Sequence, residues 1–163
     1  MKTVVGIPNG ITMRDLETGL EKALQEITTT MFDCCSRIVP LDPSEAISPG
    51  LSAIVGFGGK ISGFIAIHLP FQSACMLAGQ LLGMKFETVD EIVADAMCEM
   101  VNMIAGGLKK FAGRDEDLFK ISIPSIVYGT DYSTHASKDA ETLILGVETA
   151  GCCFNLQLVF AYR

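Results

Sequence analysis

Asp95, Glu99 and Asn102 stand in the otherwise apolar stretch ADAMCEMVNMIAGG, residues 94–107. Two carboxylates and one amide are spaced there by four and three residues. At about 100° per residue, with Asp95 as zero, Glu99 falls near +40°, Asn102 near −20° and Gly106 near +20°. Glu91 and Lys109 both fall near −40° on the same count. These residues make one narrow polar stripe. Ile92, Val93, Ala96, Met97, Met100, Val101, Met103 and Ile104 occupy much of the rest. Side chains at i and i+3 project from one face and can reach into one pocket. An amide there can both accept and donate a hydrogen bond. The ordinary alternative is the solvated side of an amphipathic helix. Two residues argue for more than that. Asn is a poor helix former with no capping role mid-helix. Gly106 costs about 1 kcal/mol against Ala in a helix interior, yet leaves room for another chain to approach.

The rest of the chain offers no competing constellation. Its histidines are His68 and His135, and no cluster with cysteine forms around either. The six cysteines are Cys34, Cys35, Cys75, Cys98, Cys152 and Cys153. None has the two-residue separation of a zinc knuckle, so they read as free thiols serving as small hydrophobes and no metal is expected. The turn GFGGK, residues 56–60, lacks the spacing of a phosphate loop. A net charge of −7 argues against nucleic acid and against an anionic membrane surface. No run approaches the roughly 20 apolar residues of a membrane span. Met1 to Asn9 is too short and broken for a signal peptide, so a cytoplasmic location is expected.

The elements that must present the stripe follow from periodicity. Thr12 to Met31 reads as a helix with Leu16, Leu20, Ala23, Leu24 and Ile27 at helical spacing, and Thr12 with Asp15 could cap it. Arg37 to Leu41 is a short extended piece, followed by the Pro- and Ser-rich loop DPSEAISPG. Leu51–Phe57 and Ile61–Leu69 read as a hairpin turned at Gly58-Gly59. Phe71 to Leu82 is a helix apolar nearly all round, ended by Gly83. The helix of the stripe runs from about Asp90 to Phe111, with Lys109 and Lys110 complementing its dipole. Phe119 to Val127 is strand-like around Pro124, and Tyr128 to Thr142 is polar and irregular. Leu143–Thr149 and Cys152–Tyr162 form a second hairpin turned at Ala150-Gly151. The 163 residues suit one domain, residues 1–163. The expected fold is α+β, a mostly antiparallel sheet with helices packed on one face.

Asp95, three residues, Glu99, two residues, Asn102 and then twenty-one residues to Pro124 resemble the signature of the CheC/CheX/FliY phosphatases of bacterial chemotaxis. NMIAGG and the hairpin GFGGKISGFIAIHLP also look like CheX. CheC and FliY carry duplicated Glu-x-x-Asn helices. Here Asn9 and Asn155 have Gly6 or Cys152 in the neighbourhood where glutamate would stand, and Phe71–Leu82 holds neither Glu nor Asn. A single site resembles CheX. The resemblance implies a phosphatase acting on the aspartyl phosphate of a CheY-like response regulator receiver domain. It implies that Asn102 orients the attacking water and that Glu99 pairs with the receiver's lysine. Asp95 and Gly106 would contact the partner, Pro124 would be structural, and Mg2+ would belong to the receiver. It also implies a homodimer. The alternatives are a non-catalytic adaptor that binds a receiver or other signalling protein, and a structural flagellar-switch relative.

Overall fold

A computed structural model describes residues 11–41, 50–112, 120–129 and 136–162. The calls on Met1 to Asn9, on residues 42–49 of the loop, on Phe119 and on His135 lie outside the described residues. The elements run α1 (Met13–Phe32), β1 (Arg37–Val39), β2 (Gly50–Gly58), β3 (Ile61–Leu69), α2 (Phe71–Leu82), α3 (Glu91–Ala112), β4 (Lys120–Ile121), β5 (Ser125–Gly129), β6 (Glu141–Thr149) and β7 (Cys152–Tyr162). The strands form one sheet in the order β1-β6-β7-β3-β2-β4, with β5 also paired to β2. Every pairing is antiparallel.

Local chemistry accounts for the element ends. Thr12 accepts from the Asp15 backbone N–H, and Asp15 accepts from the Thr12 backbone N–H, closing a capping box on α1. Gly83 ends α2 in the left-handed region at φ 65°. Asp90 caps α3, its Oδ1 accepting from Val93 N–H at 2.9 Å. Thr149 faces Cys152 across a two-residue turn in which Ala150 and Gly151 take φ 53° and 75°. Two successive positive φ values give the turn whose twist suits a hairpin.

Alternation along the strands puts one set of side chains under the helices. Leu51, Val55, Ile65, Ile67, Leu156 and Leu158 share a core with Leu20, Leu77, Met97, Met100 and Ile104. The other sheet face buries a polar bridge at its centre. Ser52 Oγ lies 2.6 Å from His68 Nδ1, and His68 Nε2 lies 2.9 Å from Gln157 Oε1. A glutamine carbonyl only accepts, so Nε2 carries the proton and Ser52 donates to Nδ1. Burial holds the His68 pKa below its usual value, although the Gln157 bond works the other way.

Two expectations need correction. Phe119 to Val127 is not one strand. Pairing runs Phe57 with Ile121 and then Ile54 with Ser125, so three steps on β2 face four on the opposite strand. The extra residue is a β-bulge between Ile121 and Ser125. Ser122 donates its N–H to Gly56 O and accepts from Gly56 N–H through Oγ, which bridges the break. The polar segment after it is also shorter than expected, because Tyr128 and Gly129 extend β5 and Glu141 and Thr142 open β6. The helix α2, apolar nearly all round, buries one side only: Ala74, Cys75, Leu77 and Ala78 are covered, while Phe71, Met76 and Leu82 stay exposed.

Candidate functional site

The stripe sits on a helix anchored along its full length. Val93, Met97, Met100, Val101, Ile104 and Ala105 are fully buried and hold α3 between the sheet and α1. Close approach of α1 depends on small residues. A Cβ on Gly107 would lie 2.7 Å from Ala23 Cβ, and one on Gly19 would lie 2.4 Å from the Phe111 ring. Lys22 Nζ sits 5.2 Å from the centroid of that ring, a cation–π contact that closes the same seam.

The opposite side of α3 carries the polar residues. Asp95, Glu99 and Gly106 are exposed and Asn102 is half-buried. Glu99 and Asn102 stand about 4.5 Å apart along the axis, less than one turn. Among the described residues, neither side chain has a hydrogen bond or ion pair. The carboxylate and the amide therefore face outward, unengaged by the rest of the described fold. Cys98 is the thiol nearest in sequence. Burial pushes its pKa up and the Asp95 carboxylate adds to that, which keeps it protonated and a weak nucleophile.

Pro124 belongs to a different element, in the bulge of the edge strand. Lacking an N–H, it suits a position where the ladder is interrupted. The strand it leads into, β5, packs against α3. Ile92 does not belong with the buried set where its apolar character put it. It is 48% exposed. By angle it lies near +60°, about 20° from Glu99, so helix geometry alone could have placed it on the stripe. Ile123, beside Pro124, is 87% exposed, and Tyr128 is 65% exposed. Sequence reasoning missed both. Large apolar side chains left exposed on or beside a strand that packs against α3 can form part of a contact surface.

Among the described residues, no three His, Cys, Asp or Glu side chains converge as metal ligands would, and no helix is long and apolar enough to cross a membrane. The cysteines are free thiols.

A sheet of antiparallel strands with helices on one face is the arrangement of the CheC/CheX-like chemotaxis proteins. The family model described as chemotaxis phosphatase CheX matches residues 51–148, which include α3 and Pro124, and the chain belongs to that family. Solved structures agree in fold. A chemotaxis protein CheX from Vibrio vulnificus superposes with a TM-score of 0.75 at 19% identity, over 89% of this chain and 95% of that one. CheX from Desulfovibrio desulfuricans gives 0.75 at 20% identity, over 91% and 99%. The CheX of a CheX–CheY–BeF3–Mg2+ complex from Borrelia burgdorferi gives 0.68 at 19% identity, over 91% and 97%. No curated protein sequence matches significantly.

Proposed function

We propose that the protein hydrolyses the aspartyl phosphate of a CheY-like response regulator receiver domain, with Asn102 orienting the attacking water and Glu99 pairing with the receiver's active-site lysine. The observation that carries this reading is the outward, unengaged Glu99–Asn102 pair on a helix whose other side is fully buried. A rigid helix can carry two side chains into a partner's pocket without an ordering cost of its own. Membership of a chemotaxis phosphatase family supports it, and so does the fold shared with a CheX that is known in complex with CheY.

The chemistry asks little of this chain. An acyl phosphate is already activated, so positioning and charge stabilisation supply most of the catalysis. The water oxygen forms a bond to phosphorus as the bond from phosphorus to the aspartyl oxygen breaks. The leaving carboxylate has a pKa near 3.9 and departs without a proton from an acid. The Asn102 carbonyl oxygen accepts from the water and aims its lone pair at phosphorus, while the amide N–H2 donates to a phosphoryl oxygen. A carboxylate at 102 would repel those oxygens. Glu99 meets the lysine ammonium and fixes the register of docking. Asp95 and Gly106 contact the receiver on the same face, and Pro124 shapes the edge strand. Mg2+ belongs to the receiver. The protein works as a cytoplasmic homodimer, its sheet edges paired rather than left open.

Decay of a phosphorylated receiver tests this, measured with wild type, Asn102→Ala and Glu99→Ala. Asn102→Ala should lose turnover and keep binding, and Glu99→Ala should lose both. Wild type that binds the receiver without speeding decay would leave an adaptor in place of an enzyme.

A further inference from the structure

Gly106 has no explanation among the described residues of the fold. A Cβ there would meet no atom within 4 Å, whereas one on Gly107 would collide with Ala23. Gly106 is also absent from the glycines with positive φ. A mid-helix glycine costs about 1 kcal/mol against Ala, and among the described residues neither packing nor backbone geometry offsets it. What the missing side chain does is open a groove of about 270 Å³ between α1 and α3. Ala23, Ile27 and Met103 make its apolar wall, and Glu26, Thr30 and Lys110 its rim. The two rim charges are barely paired, with Lys110 Nζ 3.9 Å from Glu26 Oε1 and both side chains largely exposed.

The groove continues the proposed docking face. Gly106 follows Asn102 by four residues, one turn and about 6 Å further along the same side of α3. A specific complex covers about 800 Å² of each partner. Glu99 and Asn102 alone cannot supply that area, so a receiver seated on them covers the adjacent turn as well.

We propose that the α1–α3 groove at Gly106 is the specificity pocket of the receiver-docking surface, taking an apolar side chain that the receiver presents beside its phosphorylated aspartate. This rests on the receiver-phosphatase reading of Glu99 and Asn102. The pocket holds the substrate domain and does not touch the reacting atoms. Met103 gives its wall an adaptable side chain. Filling the groove should therefore weaken docking and leave the chemical step of the bound complex alone.

The experiment uses a panel of CheY-like receiver domains from the same organism, phosphorylated with acetyl phosphate, and follows dephosphorylation by wild type and Gly106→Leu under steady-state conditions. Thermal unfolding of each protein confirms that it is folded. For the receiver that wild type dephosphorylates, Gly106→Leu should raise KM about tenfold or more, with the loss in KM rather than kcat and the melting temperature not lowered. Gly106→Ala should give a smaller rise in KM at a higher melting temperature, a combination that a merely structural glycine would not produce. An active wild type whose KM is unmoved by Gly106→Leu overturns the groove alone. A wild type inactive on every receiver overturns the underlying function and, with it, the occupant proposed for the groove.

Discussion

The adjacent glycines of α3 should respond oppositely to the same substitution. Gly106→Ala gains helix propensity of about 1 kcal/mol and meets nothing, so unfolding stability should rise by about that amount. Gly107→Ala gains the same propensity but places a methyl 2.7 Å from Ala23 Cβ and 3.4 Å from Ala23 Cα. Neither contacting atom can swing aside as a flexible side chain could, so α1 must shift away from α3. Overpacking of that kind costs about 1–3 kcal/mol, leaving a net loss of about 0–2 kcal/mol. The two variants should therefore differ by about 1–3 kcal/mol. For a chain of this size that separates melting temperatures by several degrees, at about 2–4 °C per kcal/mol. Urea unfolding followed by circular dichroism gives both free energies at 25 °C. Equal stabilisation by the two variants would refute the close α1–α3 contact and the groove geometry that depends on it.

Other outcomes follow from the same structure. The His68 pKa is lowered in the fold, so its contribution to stability is complete above the unfolded value of about 6.5 and is lost as pH falls through the folded one. Wild type should lose stability as pH falls below about 6.5, and His68→Gln should show a shallower slope there in urea titrations; identical slopes would remove His68 from the account. Ser52→Ala leaves the buried Nδ1 without its donor and should cost about 1–3 kcal/mol by the same unfolding assay. Ala150→Gly relieves a left-handed alanine at φ 53° and should raise stability by about 1 kcal/mol, read as a higher melting temperature.

Much of the fold was legible because its signals are local. The Thr12–Asp15 box, the Gly83 stop and the Ala150-Gly151 turn each act within four residues, and each formed where its residue types require. The stripe on α3 was legible because an angular count along one helix needs no knowledge of its neighbours. What escaped depends on residues distant in sequence. The bulge before Ser125 is held by Ser122 bonding to Gly56, on a strand far upstream. Met76 looks like a core residue, and only the placement of the other elements leaves it in solvent. The groove combines α1 and α3, and the Ala23–Gly107 approach that sets its width is invisible in either helix alone. Gly106 was singled out on the sequence for its cost, and the structure adds that nothing within the described fold uses the space it leaves.

The most direct measurement is single-turnover decay of a phosphorylated receiver at saturating protein, comparing wild type with Asn102→Ala. Saturation removes docking from the comparison, so the rates report the water-positioning step alone. Wild type should accelerate decay well beyond the receiver's own rate, and Asn102→Ala should fall back by a factor of about 10²–10³, the size of effect seen when one preorganised hydrogen-bonding group is removed from an active site. Decay with Asn102→Ala as fast as with wild type would contradict the account.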